Sequence, residues 1–194
     1  MLAHMSRAQP LPNLMNEVEY LALPEDLANT IEVVHGHVIV CESPKPQHQR
    51  VARRLATALE NARPAEPCLR AETDTDVVLW RLPSYTFRRP DVVVYHCLKD
   101  RNTKPEAADV LLVVEVSSPS TATEDLVDKA AQYAAAGIPA YLVAKLTDDG
   151  SLSWIREFHL DAATRQYRLH SAHVDVLTLE FPCPLAAPFT ALTD

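Results

Sequence analysis

The sequence predicts an α/β (α+β) domain, a mixed central sheet flanked by helices. Three observations carry that prediction. First, "DVVVYH" (91–96) and "VLLVVEVS" (110–117) are so uniformly apolar that both faces of each strand must be covered, which places them centrally in a sheet. Second, two segments have helical periodicity. "HQRVARRLATALENA" (48–62) carries Val51, Leu55, Ala58 and Leu59 on one side with a basic outer face, and an alanine-rich run ends at Gly137. Third, the elements come in the order hairpin, helix, strands, helix, strands, which suits a mixed sheet with helical cover.

In chain order, residues 1–15 are expected to be a flexible N-terminus, and 16–194 a single domain, since 194 residues suffice for one real core. "EVEYLALPED" predicts a short helical turn closed by Pro24. "TIEVVHGHVIVCE" predicts a hairpin of two alternating apolar runs about His35-Gly36. The amphipathic helix follows, then the strand "DTDVVLWRL" and the two central strands. In "SPSTATEDLVDKAAQYAAAGIP", Thr121 and Glu124 have capping-box spacing, and Gly137 with Pro139 ends the helix. "AYLVAKL", "SLSWIREFHL" and "RQYRLHS" predict further strands, and "FPCPLAAP" a tail covering an edge.

Composition bounds the function classes. The net charge of −8 argues against a protein that coats nucleic acid non-specifically, yet Lys45, Arg50, Arg53 and Arg54 cluster, as do Arg81, Arg88 and Arg89. Both a local basic surface and plain solvated charge fit that pattern. No stretch approaches the ~18–20 apolar residues of a membrane span, and no secretory signal is seen, so a cytoplasmic protein is expected. Cys41, Cys68, Cys97 and Cys183 are scattered without a CxxC pair, which predicts reduced, mostly buried thiols and no zinc site.

The chemistry centres on "LLVVEVSSPS". A lone carboxylate in a buried apolar strand needs a partner, so something must meet Glu115. "RRPDVVVYH" opens a neighbouring strand with Asp91. Two acids on adjacent inner strands suit one hard divalent cation, which takes oxygen ligands and keeps waters and phosphate oxygens. In the alternative, Asp91 caps its strand and Glu115 pairs with an arginine. Lys129 also has two readings: an Asp125–Lys129 surface pair, or an ammonium at the acids, four residues before Tyr133 on the same side of its helix.

A "PD" opening one strand and an acid inside the next resembles the PD-(D/E)xK nuclease superfamily. More closely, "RRPDVVVYH", "EVSSPST", "DLVDKAAQYAAAGIP" and "IEVVHGHVIVCESPKPQHQRVARRL" resemble the Uma-two family of restriction endonucleases over most of the chain. That resemblance implies a restriction-endonuclease-like fold and a Mg²⁺- or Mn²⁺-dependent endonuclease hydrolysing DNA. The metal would lie at Asp91, Glu115 and the carbonyl of Val116. Ser117 stands where the superfamily's "ExK" lysine would be, and Lys129 matches the lysine that the family carries in the following helix. Glu32 matches a further acid that helps the metal, against a plain outward polar residue. His48 matches the family's histidine, as phosphate contact or proton acceptor, against a structural role. Arg50, Arg53, Arg54, Arg88 and Arg89 are the expected DNA-backbone contacts, and a homodimer follows by analogy. The missing "ExK" lysine keeps open a catalytically inactive nuclease-fold module that binds DNA or a protein partner. His35-Gly36-His37 replaces the family's "DGE" turn and predicts turn chemistry, and Ala144 stands where an Asp is common.

Overall fold

The structure is a computed structural model and describes residues 14–100, 102–117 and 123–193, apart from the side chains of 123–125. Residues 1–13 of the expected N-terminal tail, the Thr121–Glu124 capping box and the Asp125 side chain lie outside the described residues. Leu14 bridges to His37, and the Met15 N–H donates to the Gly36 carbonyl at 2.7 Å.

The chain begins with α1 (Glu17–Leu21), whose N-terminus carries a reciprocal capping box between Asn16 and Glu19. Pro24, expected to close this turn, instead stands at the N-cap of α2 (Glu25–Ala28), where its fixed φ suits a helix start. The predicted hairpin is β1 (Ile31–Val34) and β2 (His37–Val40). His35 and Gly36 both take positive φ, 51° and 81°, as a two-residue hairpin turn requires. α3 (Pro46–Ala62) buries Val51, Leu55 and Leu59. Then come β3 (Leu69–Thr73), β4 (Val77–Trp80), β5 (Thr86–Arg88), β6 (Val92–His96), a 3-10 turn at Ala107–Asp109, and β7 (Val110–Ser117). α4 (Thr123–Ala136) ends at Gly137, φ 88°, and leads into β8 (Ala140–Leu146). β9 (Leu152–Asp161), β10 (Gln166–His173), β11 (Val176–Leu179), β12 (Leu185–Pro188) and α5 (Phe189–Thr193) complete the chain.

The main sheet has six strands in the order β10-β9-β8-β7-β6-β3, with β7 and β8 parallel across α4 and the other pairs antiparallel. The apolar β6 and β7 are interior, as their composition predicts. α3, α5 and the β11–β12 ribbon cover one face through Leu55, Val114, Leu142, Ile155 and Leu177. α4 covers the other through Tyr133, packed with Val113, Ile138 and Tyr141. A second sheet, β2-β1-β5-β4, has its own core around Ile31, Val33 and Phe87. β3, β5 and β11 were not anticipated, and the proline-rich tail contains β12. Among the described residues, no helix is long and apolar enough to cross a membrane.

The cysteine expectation is corrected. Cys68 and Cys97 form a disulfide, Cα–Cα 5.4 Å, and Cys41 is exposed, leaving Cys183 as the buried thiol. The reason is register: β3 pairs with β6 so that Leu69 faces His96, which sets the flanking cysteines side by side. Nothing in a separation of 29 residues announces that pairing.

Candidate active site

Antiparallel register builds the centre of the site. Val92 pairs with Val114, which sets Asp91, just ahead of β6, alongside the end of β7 that carries Glu115 and Val116. The Val116 N–H donates to Asp91 Oδ2 at 2.6 Å and locks the β6–β7 junction. Glu115, only 3% exposed, receives Lys129 Nζ on Oε2 at 2.9 Å and the Tyr133 hydroxyl on Oε1 at 2.8 Å. Lys129 and Tyr133 are one helical turn apart on α4, so a single helix face satisfies both carboxylate oxygens. The partner of Glu115 is therefore a lysine, where an arginine was the alternative.

Burial pushes the Glu115 carboxyl up to about 7, against the charge and hydrogen bond of Lys129 and with help from the nearby Asp91 and Glu32 charges. The same enclosure raises the Tyr133 hydroxyl well above its ordinary value, with Glu115 adding to the effect.

His48, in the first turns of α3, points into the junction. Its Nε2 lies 2.7 Å from the Val116 carbonyl and 3.2 Å from Asp91 Oδ2. Both partners are acceptors, so Nε2 carries the proton. Burial disfavours the imidazolium, but the hydrogen bond and charge of Asp91, with the Val116 carbonyl, outweigh it and hold the pKa above its usual value.

One cavity of about 580 Å³ contains Asp91, Glu115, Val116, Lys129, His48, Glu32, Arg88, Arg89, Lys45 and Asp74. The oxygen donors present (Asp91, Glu115 and the Val116 carbonyl) form a hard set suited to Mg²⁺ or Mn²⁺. The His48 N–H stands where two of these acceptors converge, which marks a position that calls for positive charge. On both counts the residues fit a divalent cation.

Three expected roles change with placement. Glu32 is not an outward residue of an alternating strand, because all of β1 is buried. Arg88 Nη1 donates to Glu32 Oε2 at 2.6 Å, and the Arg89 N–H to Glu32 Oε1 at 2.8 Å. Arg88 is 3% exposed, with its Nε on Gln132, so it serves Glu32 and does not present itself to a DNA backbone. Arg89 spans from Asp76 to the carbonyls of Ala28 and Asn29, bracing the end of α2. Arg50, Arg53 and Arg54 are exposed on α3.

Sequence reasoning missed Asp74 and passed over Tyr133 as a site residue. Tyr133 had a signal in its spacing from Lys129. Asp74 had none, because it reaches the cavity from a turn with φ 49° after β3. Burial raises its pKa, and the Asp91 charge adds to that.

The family description "Putative restriction endonuclease" (Uma2) matches residues 18–187. The chain belongs to the Uma2 family. This Uma2 protein also resembles a solved structure described as "a putative nuclease belonging to DUF820" from Anabaena variabilis ATCC 29413. The two are 14% identical over 92% of this chain and 97% of that one, with a TM-score of 0.64, a likeness that shows the fold. A structure of NucC from P. aeruginosa ATCC27853, in its cAAA-bound form, is 15% identical over 68% of this chain and 85% of that one. Its TM-score of 0.34 is too low to carry any inference. No curated protein matches the sequence. The mixed sheet flanked by helices is thus the restriction-endonuclease-like arrangement that the sequence motifs imply, and the family's description points to a nuclease.

Proposed function

We propose that this Uma2 protein is a divalent-metal-dependent endonuclease that hydrolyses DNA phosphodiester bonds at the Asp91–Glu115 cleft. The observation that supports this best is that Asp91, Glu115 and Val116 line one cavity, with the Lys129 ammonium on Glu115. Asp91, Glu115 and Val116 would hold Mg²⁺ or Mn²⁺, which when bound neutralises phosphate charge and makes a coordinated water more acidic.

The protein groups divide the remaining tasks. Lys129 opposes the burial that raises the Glu115 carboxyl and offers an ammonium to charge that develops on a phosphate. Tyr133 fixes the Glu115 rotamer from the other oxygen. His48 holds a proton at Nε2 between Asp91 and Val116, so it must release that contact or its proton when the acids take a cation. Lys45 on the cavity rim, with Arg50, Arg53 and Arg54 along α3, supplies the positive surface for a DNA backbone. Glu32 acts at one remove, by burying Arg88 beside the site.

The test is cleavage of plasmid or oligonucleotide DNA with Mg²⁺ or Mn²⁺. Activity is expected to vanish with chelator and in Asp91→Ala and Glu115→Ala. Cleavage unchanged in those variants overturns the assignment.

One observation favours a second reading. Glu115, Asp91 and the Val116 carbonyl are all satisfied by protein partners, as in a nuclease-fold module that binds DNA or a protein without turnover. Calorimetry decides: no Mg²⁺ or Mn²⁺ binding, with DNA still retained on a filter, favours the module. We further infer a homodimer, by analogy with nucleases that cut both strands. A monomer by light scattering at working concentration counts against the dimer.

A further inference from the structure

On the other face of the main sheet, two strands from Glu115, the structure gathers a group of side chains of metal-ligating type. Glu157 is 4% exposed, and its polar partners among the described residues are histidines. His159 Nε2 lies 2.7 Å from Oε1, and His173 Nε2 3.2 Å from Oε2. His170 stacks on His159, ring centroids 4.1 Å apart and planes within 4°. One ligand atom each from Glu157, His159 and His170 falls within 4.8 Å of the others.

A fault in the strand makes this convergence. β10 pairs Leu169 with Phe158 and Ser171 with Glu157, so His170 is an extra residue in the ladder. In an unbroken strand, His170 and His173 would point to opposite faces, being three residues apart. The bulge resets the phase, and both reach the face that carries Glu157 and His159. Three imidazoles and one buried carboxylate, gathered by a bulge and without a lysine or arginine among their described partners, make an unusual way to satisfy one acid.

We propose that Glu157, His159 and His170 form a binding site for a borderline divalent cation of the Zn²⁺ class, separate from the hard-cation site at Asp91 and Glu115. Two imidazoles and a carboxylate suit Zn²⁺, Co²⁺ or Ni²⁺ far better than Mg²⁺. In a tetrahedral zinc site, ligand atoms stand ~3.3 Å apart, from metal–ligand bonds of about 2.0–2.1 Å, so the widest separation must close by at most roughly 1.5 Å while the 2.7 Å pair of His159 and Glu157 opens slightly. The parallel rings must also tilt, since each lone pair lies in its ring plane. His170 is exposed and can make both movements. His173 is a positioning residue: its Nδ1 accepts the Thr178 N–H at 3.4 Å, which leaves the proton on Nε2 for Glu157 and turns Oε1 toward the site. The cation would tie the edge strand β10 to β9 and keep its fourth position for water or a partner's ligand.

The experiment uses untagged, full-length, chelator-treated protein carrying Asp91→Asn, with Mg²⁺ in excess, so that the first site does not contribute. Calorimetry with Zn²⁺ is expected to give one equivalent bound, and Co²⁺ to give the visible absorption of a tetrahedral nitrogen–oxygen site. His170→Ala, an exposed change that leaves the metal-free melting temperature in place, should weaken Zn²⁺ binding by at least about tenfold and abolish the Co²⁺ spectrum. His173→Gln should weaken Zn²⁺ about 10–100-fold while retaining a shifted Co²⁺ spectrum. No Zn²⁺ binding above the His170→Ala level, or binding indifferent to His170→Ala, overturns the site. Neither outcome touches the reading of the Asp91–Glu115 cleft.

Discussion

Replacing Arg88 by methionine tests the structural support of the cleft without needing a substrate. Arg88 and Glu32 have side chains 3% and 5% exposed and meet at 2.6 Å, so neither charge has water to fall back on. Removing one partner of such a pair costs about 3–5 kcal/mol, because the other charge stays buried. Glu32 keeps the Arg89 N–H at 2.8 Å, which places the expected loss near 3 kcal/mol. At about 2–4 °C per kcal/mol for a chain of this size, Arg88→Met should melt roughly 6–12 °C lower. Urea unfolding followed by tryptophan fluorescence measures the free energy directly, since Trp80 and Trp154 lie in different sheets. The double variant Glu32→Gln/Arg88→Met removes the stranded charge and should recover about 2 kcal/mol relative to Arg88→Met. A single-variant loss below about 1 kcal/mol, or a double variant no more stable than Arg88→Met, refutes the buried pair.

Two other outcomes are expected. Glu115 has a folded pKa raised from 4.5 to about 7, so in metal-free protein it binds more protons folded than unfolded across that range. Its contribution to stability is complete below pH 4.5 and is lost as pH rises through about 7, and His48, also raised, acts in the same direction. Melting curves from pH 4.5 to 8 should therefore show wild type losing ground to Glu115→Gln as pH rises; a constant difference contradicts the raised carboxyl. For the Cys68–Cys97 link, peptide mapping without reductant should recover the two cysteines joined. Opening a loop of 29 residues should cost about 3–4 kcal/mol in the chain-entropy account, read as a lower melting temperature in dithiothreitol, and unlinked peptides contradict the pairing.

What was legible in the sequence was local. Alternation, helical spacing, a glycine cap and a two-residue turn are written within a few neighbours, so the hairpin, α3, α4 and the inner strands β6 and β7 could be read directly. Asp91 and Glu115 belong to that class because an acid at or within an apolar strand is visible as an exception. Lys129 came from motif spacing, and α4 then delivered it to Glu115. β3 and β5 escaped because short strands mixing charged and apolar residues carry little periodicity.

The remainder was decided by which strand lies beside which, and at what register. That choice set Cys68 against Cys97, buried Glu32 on Arg88, and turned two expected DNA contacts, Arg88 and Arg89, into internal braces. It also brought Asp74 to the cavity from a distant turn, and one inserted residue at His170 let His170 and His173 share the face of Glu157. Local patterns record which side of a strand is apolar. Ion pairs, disulfides and metal ligands depend on ångström-scale contacts between segments far apart in the chain, and only the packed sheet determines those.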